Sequence, residues 1–303
     1  MSLAVLFPGQ GTQHAAMLPW LDAAGADALM PLVDALGADW RERLADAAWA
    51  QRNDVAQPLL TGVCIAAWRV LVPLLPRPAV VAGYSVGELA AFHCAGVFAA
   101  GDAMALARRR AELMDASTHG VATGLLALAD ASPALVERLC RTHRLDVAIR
   151  FGPDRVVVGG ARSALAAAAV EAARAGATTT TLDLAIASHT PWMADAVQPF
   201  AAALAAVPFE RPQLALVADH EAGVLRDPGD LRRALASQLA VAIRWDDCMT
   251  AVAERGATCV LEMGPGTSLS RLWNARYPAL PARSVDEFST PTAIAGWVAD
   301  ALA

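Results

Sequence analysis

The residues best suited to chemistry are Gly83-Tyr84-Ser85-Val86-Gly87. They match G-x-S-x-G, in which a serine stands on a strained strand-to-helix turn and the glycines let backbone pass close by. An apolar stretch, Ala79 to Ala82, reads as a buried strand before it, and a helix is expected from about Val86 to Cys94. In a chain of this length the pattern alone arises by chance roughly one time in ten. The strand-turn-helix context raises its weight over an ordinary tight turn. It would place the Val86 amide and the positive end of the helix dipole beside a developing oxyanion.

A serine hydroxyl needs a base within hydrogen-bond reach. The chain has six histidines, at 14, 93, 119, 143, 189 and 220. Spacing does not choose among them. His189 stands out slightly, because Ala187-Ser188-His189-Thr190-Pro191 follows an expected strand end, where sites of parallel sheets collect. Arg108, Arg109 and Arg110 lie about 100° apart around one helix, so at most one faces a pocket.

The elements that must position these groups alternate. Ser2 to Phe7 reads as a buried strand cut off by Pro8-Gly9. Helical spacing broken by prolines runs from Ala15 to Pro76, and Asp102 is an N-cap candidate for a helix through Asp115. The middle then reads β-α-β-β-α-β: strand 124–129, helix 132–141, a hairpin of 147–151 and 155–158, helix 161–175 and strand 178–184. That is the split order of a ferredoxin-like module. After it come helix 193–206, strand 214–218, helices 231–239 and 246–255, and strand 259–262 running into Gly264-Pro265-Gly266. The expected fold class is therefore α/β: a parallel-sheet, α/β-hydrolase-like large domain (1–119 and 188–303) with an inserted ferredoxin-like subdomain (120–187).

Composition bounds the rest. The 303 residues are 56% hydrophobic and 18% charged, enough for a sizeable core. The net charge of −6 speaks against a nucleic-acid surface. All 24 basic residues are arginine, which excludes a lysine Schiff base and a phosphate-loop lysine and leaves fork-shaped cations suited to carboxylates. The five cysteines show no C-x-x-C pair, so no metal site is expected and they read as buried thiols of a reducing compartment. The uncharged run 1–21 carries Pro8, Gly9, Gly11 and Pro19 and no basic start. It is expected to be neither signal peptide nor membrane span, which points to the cytoplasm.

Phe7-Pro8-Gly9-Gln10-Gly11-Thr12-Gln13 and Gly83-Tyr84-Ser85-Val86-Gly87-Glu88 resemble the two leading motifs of malonyl-coenzyme A:acyl-carrier-protein transacylases. Arg110-x-x-x-Met114, Ser188-His189, and Gln238 through Arg244-Trp245 with Glu262-Met263-Gly264-Pro265-Gly266 extend the resemblance, in family order, over nearly the whole chain. The resemblance implies Ser85 as nucleophile and His189 as base, oriented by a backbone carbonyl near Gln238 rather than a carboxylate. It implies an oxyanion hole from the Gln10 and Val86 amides. Arg110 would hold the free carboxylate of a malonyl group, with Met114 and Gln238 also at the substrate. Malonyl-coenzyme A would be the acyl donor and a carrier-protein thiol the acceptor, with no permanently bound cofactor.

A bidentate arginine would reject acetyl groups, which leave it buried and unpaired. The rate is expected to rise with pH as His189 loses its proton. Glu88 reads as a first-turn helix charge without a catalytic role, and Gly264-Pro265-Gly266 as a loop stabilising the site. Tyr84 stands where the fatty-acid branch usually has histidine, which resembles the transferase (epsilon) subunit of malonate decarboxylase and favours that enzyme's small carrier subunit as acceptor. The alternative is a fatty-acid or polyketide loading enzyme. A serine esterase or thioesterase would instead order its triad Ser, Asp or Glu, then a late His, and a noncatalytic carrier-docking module would need neither Ser85 nor a base.

Overall fold

The computed structural model describes residues 2–23 and 26–303. Its strands, in chain order, are β1 (Ser2–Phe7), β2 (Val80–Gly83), β3 (Thr123–Ala129), β4 (Asp146–Arg150), β5 (Val156–Ala161), β6 (Thr178–Thr181), β7 (Ala215–Ala218), β8 (Gly223–Leu225), β9 (Ile243–Arg244), β10 (Ala257–Glu262) and β11 (Ala282–Ser284). Among the described residues they form two sheets. The larger runs β11-β10-β1-β2-β7-β8 and the smaller β6-β3-β5-β4-β9.

The strands of the large sheet are short and apolar because helices cover both faces. Val80, Val81, Ala82, Leu216, Val217 and residues 3–7 are all essentially buried. All its pairings are parallel except β7 with β8, where the chain turns straight back. In register, Phe7 faces Gly83 and Leu6 faces Glu262. The loops after β1, β2 and β10 therefore leave the sheet at one end, the carboxyl end, where open α/β sheets build their sites.

The small sheet is antiparallel within the 120–187 segment, with helices Pro133–His143 and Arg162–Arg174 on it. Ser132 caps the first, its hydroxyl accepting from the Leu135 amide. Leu126, Leu128, Leu135, Leu139, Val156, Val158 and Leu165 make a separate core. One strand comes from elsewhere: β9 pairs in parallel with β4, Ile149 opposite Ile243. Residues 120–187 thus do not complete the sheet alone, and β9, two residues long, was too short to show a period.

Other differences are local. The helix expected from Asp102 begins at Ala100 with Ala99 at its cap, and no side chain caps it, so Asp102 lies in the first turn. Helices Ser268–Arg276 and Pro291–Ala301, with β8 and β11, complete the large domain beyond the elements read from the sequence. No helix among the described residues is long and apolar enough to cross a membrane.

Candidate active site

Ser85 lies between β2 and the helix Gly87–Cys94 and has φ 55°. That left-handed backbone is costly for a residue with a Cβ, and the surroundings enforce it. A Cβ on Gly83 would lie 2.3 Å from the Glu88 backbone nitrogen, and one on Gly87 2.3 Å from the Phe7 carbonyl oxygen. Both flanking positions must be glycine because backbone is already there. The Ser85 amide donates to Asp219 Oδ2 at 2.8 Å. The turn is a nucleophile elbow.

His189 is the histidine that meets Ser85. Its Nε2 is 2.8 Å from Ser85 Oγ, and its Nδ1 is 2.8 Å from the Gln238 carbonyl oxygen. Donation from Nδ1–H to that carbonyl fixes the tautomer and turns the Nε2 lone pair to the hydroxyl. His189 also has positive φ, 61°, held by its amide bonding to the Leu239 carbonyl at 2.9 Å. The other five histidines are engaged elsewhere: His14 with Asp286, His93 with the Phe98 carbonyl, His119 with Asp195, His143 with Glu171 and His220 with Ser237. The choice that spacing left open is made by position.

Arg110 is the inward member of its arginine triplet, 3% exposed, while Arg108 and Arg109 face solvent. One terminal nitrogen donates to Gln57 Oε1 at 2.9 Å. The other donates to Gln238 Oε1 at 2.7 Å and lies 3.4 Å from Ser85 Oγ. The cation thus stands beside the nucleophile, held by two neutral amides. Burial lowers its pKa to about 10, still charged at neutral pH. Met114 is buried one helical turn further on, where its sulfur accepts from Gln57 Nε2 at 3.7 Å. It packs behind Arg110.

Gln238 joins the parts. Its carbonyl orients His189, its side-chain oxygen holds Arg110, and its Nε2 donates to Ser85 O (3.0 Å), Glu88 Oε2 (2.7 Å) and Asp219 Oδ2 (3.2 Å). Gln238 is buried at 1% exposure, so its side chain lies under the site as a clamp. Glu88 is likewise buried at 1% and accepts from the Asp219 amide at 2.6 Å. The expectation of a plain first-turn helix charge is corrected: this carboxyl is part of the floor beneath Ser85. The sequence also offered no reading of Asp219 or Gln57. Their only signals were an acid immediately after a buried strand and a lone amide within the apolar stretch Val55–Leu60.

Gln10 lies in the loop after β1, its side chain held by Asn53 Oδ1 at 2.9 Å. Among the described residues, neither the Gln10 nor the Val86 backbone amide donates to a protein acceptor. The unengaged Val86 amide directly follows the serine, as an oxyanion requires. Gly264 packs its backbone under the same loop, since a Cβ there would meet Pro8 Cγ at 2.5 Å, and Gly266 N–H donates to Asp286. A cavity of about 610 Å³ opens beside Gln10, lined by Gln13, His14, Gln51, Leu182 and Asp183 among others.

Burial and the Arg110 cation push the His189 pKa down, to about 3. The ring is therefore neutral across the physiological range, which argues against the expected rise in rate between pH 5 and 8. Tyr84 packs edge-on to Trp245, ring centres 5.1 Å apart, and lies 6.0 Å from Phe151 in the turn after β4. A Cβ on Gly9 would strike its ring at 2.7 Å.

Residues 5–272 match the acyl transferase domain family. The chain is 34% identical over 292 residues to a malonyl CoA-acyl carrier protein transacylase of Mycobacterium tuberculosis, covering 93% of this chain and 96% of that protein. An acyl-carrier-protein S-malonyltransferase from Burkholderia pseudomallei superposes with a TM-score of 0.90 at 28% identity, over 98% of this chain and 100% of that one. A malonyl-transacylase solved in complex with its type II polyketide acyl-carrier protein gives a TM-score of 0.91 at 26% identity, over 98% and 99%. With a strained serine, a carbonyl-oriented histidine and a buried guanidinium at one sheet end, and matches over nearly its full length, the chain belongs to the acyl transferase domain family.

Proposed function

We propose that this acyltransferase moves a malonyl group from malonyl-coenzyme A to the thiol of an acyl carrier protein through an ester on Ser85. The observation that carries the reading is Ser85 Oγ, 2.8 Å from a base and 3.4 Å from a buried cation. A base alone would suit any acyl group. The cation suits one with a second carboxylate.

In the loading half, Ser85 Oγ attacks the thioester carbonyl while His189 Nε2 takes its proton. The oxyanion is met by the Val86 and Gln10 amides. The carbon–sulfur bond then breaks, the proton passes from Nε2 to the departing sulfur, and coenzyme A leaves as its thiol. The second half runs the same steps backwards with the carrier thiol, whose proton goes to Nε2 and then to Ser85 Oγ. Because the imidazolium meets a carbonyl dipole and no carboxylate, the protonated state is short-lived, which suits a reaction that must run both ways.

The acceptor is read as an acyl carrier protein of fatty-acid or polyketide type. The full-length likeness to such transacylases supports it over the malonate decarboxylase carrier that Tyr84 suggested. Tyr84 packs against Trp245 and Phe151, so its identity bears on how the two sheets are joined.

Intact-mass measurement after incubation with malonyl-coenzyme A tests the reading. One malonyl adduct is expected, passing to an acyl carrier protein when that is added. No adduct, or hydrolysis that ignores the carrier, would overturn it, and transfer only to a malonate decarboxylase carrier would reassign the acceptor.

A further inference from the structure

Beneath Ser85 two carboxyl groups, Glu88 and Asp219, are buried at 1% and 0% exposure. The oxyester mechanism above gives neither of them a step. Of their four oxygens, three accept hydrogen bonds: Glu88 Oε1 from the Asp219 amide, Glu88 Oε2 from Gln238, and Asp219 Oδ2 from Gln238 and the Ser85 amide. The fourth, Asp219 Oδ1, is buried and has no partner. The titratable groups facing the pair are Arg110, His189, His220, Tyr84 and Cys248, whose thiol donates to the Asp219 carbonyl oxygen at 3.2 Å. Burial lowers both histidines and raises the thiol and the phenol. At neutral pH the one charged member of that set is Arg110.

Two ionised carboxylates against one cation would leave a net buried charge, which is strongly disfavoured. A single proton removes the imbalance. Burial raises both acids, Asp219 to about 7, and the neighbouring Asp219 raises Glu88 further, in the direction such sharing requires. The path to the cation is also present: Gln238 takes Arg110 on its oxygen and both acids on its nitrogen.

We propose that Glu88 and Asp219 hold one proton between them and serve together as the counter-charge of Arg110, relayed through the Gln238 amide. The pair thereby positions Ser85 and sets how firmly the guanidinium grips a carboxylated acyl group. The selectivity part rests on the malonyl reading above; the shared proton does not. With one negative charge already behind it, Arg110 can be buried without substrate and still release the acyl group to the carrier. Glu88 and Asp219 are positioning residues, since neither contacts the reacting atoms directly.

The test compares wild type with Glu88→Gln, Asp219→Asn and the double variant. In a pair holding one proton, an amide can stand for the protonated member, and the remaining acid keeps the charge; at Asp219 its nitrogen can take the unpartnered Oδ1 position, whereas at Glu88 it must replace an oxygen that accepts a hydrogen bond. Asp219→Asn is expected to lower the rate of malonyl loading about threefold, Glu88→Gln about tenfold, and the double by about a hundredfold, more than the product of the singles. The double should also lower the KM for malonyl-coenzyme A but not for acetyl-coenzyme A, because the substrate carboxylate becomes the only negative charge facing Arg110. A merely structural role would not produce that split. If the double variant does not fold, infrared spectroscopy at neutral pH in a Glu262→Gln background decides, since Glu262 is a further buried carboxyl raised to about 7: a carbonyl band of a protonated buried carboxyl should be lost in either single variant. Additive losses, or a band that survives in both singles, would overturn the proposal. Wild type that takes no malonyl group would instead overturn the proposed function and leave the infrared result standing.

Discussion

The floor under Ser85 and the core of the small sheet bury side chains equally well and do it by opposite means. In the small sheet, Leu126, Leu128, Leu135, Leu139 and Val158 pack against each other and the polar residues face out. Such a core tolerates substitution of like for like. Beneath the elbow, Glu88, Arg110, Asp219, Gln238 and Gln57 are equally hidden but polar, and each is held by a specific neighbour, with Asp219 Oδ1 alone left unpartnered. A network of this kind fixes geometry closely and fails when any member is left unpaired. One region supplies stability through area, and the other uses burial to hold charge and backbone in place.

The largest expected effect is at the nucleophile. Ser85→Ala should abolish the malonyl adduct and lower transfer by about a thousandfold or more, with folding intact by circular dichroism. An adduct persisting in that variant would remove Ser85 from the mechanism. Next comes the cation: Arg110→Met should cost about 2–5 kcal/mol of preference for malonyl over acetyl thioesters, read as the ratio of their kcat/KM values. An unchanged ratio would sever the floor from selectivity.

In the small sheet the consequence should be stability alone. Leu139→Ala, at a position with no exposure, should cost about 2–5 kcal/mol by urea denaturation and leave the loading kinetics of the folded protein unchanged. A kinetic defect would show that the two regions are coupled.

Two smaller effects concern pH. With His189 at about 3, the loading rate should be flat from about pH 5 to 8 and fall only on further acidification, as the base becomes protonated. A midpoint near 6.5 that persists in the Glu88→Gln, Asp219→Asn double variant would mean the ring is less buried than the structure places it. Glu262, at the end of β10, caps the helix Ser268–Arg276 by accepting from the Leu269 and Ser270 amides, and burial raises it to about 7 from an ordinary 4.5. Its raised folded pKa contributes stability fully present below about 4.5 and lost as pH rises through about 7. Melting temperature should fall over that window, and less so in Glu262→Gln.

Much of the fold and half of the site could be read along the chain. The β-α-β-β-α-β order of the middle was legible because period-2 and period-3.6 patterns and turn residues are local. The elbow was legible for the same reason: its glycines are adjacent to the serine they serve. Glu88 was misread because helix periodicity says which face a residue occupies and nothing about what meets that face. Strand β9 escaped because two residues carry no period. Asp219 escaped because a single acid after a strand resembles any loop acid.

By itself, the sequence determined that a serine stands on a strand-to-helix turn and that arginine is the only strong cation. It also placed five motifs in a family order. The family resemblance pointed to His189 among six histidines and Arg110 among three arginines, where spacing did not choose; tertiary structure alone decided that Gln238 ties both to two buried acids. The reason is distance along the chain. Ser85 meets His189 across 104 positions, Arg110 meets Gln238 across 128, and Glu88 meets Gln238 across 150. Hydrogen bonds and charge balance act over a few ångströms of space, and no pattern in neighbouring residues encodes which distant side chains will close that gap.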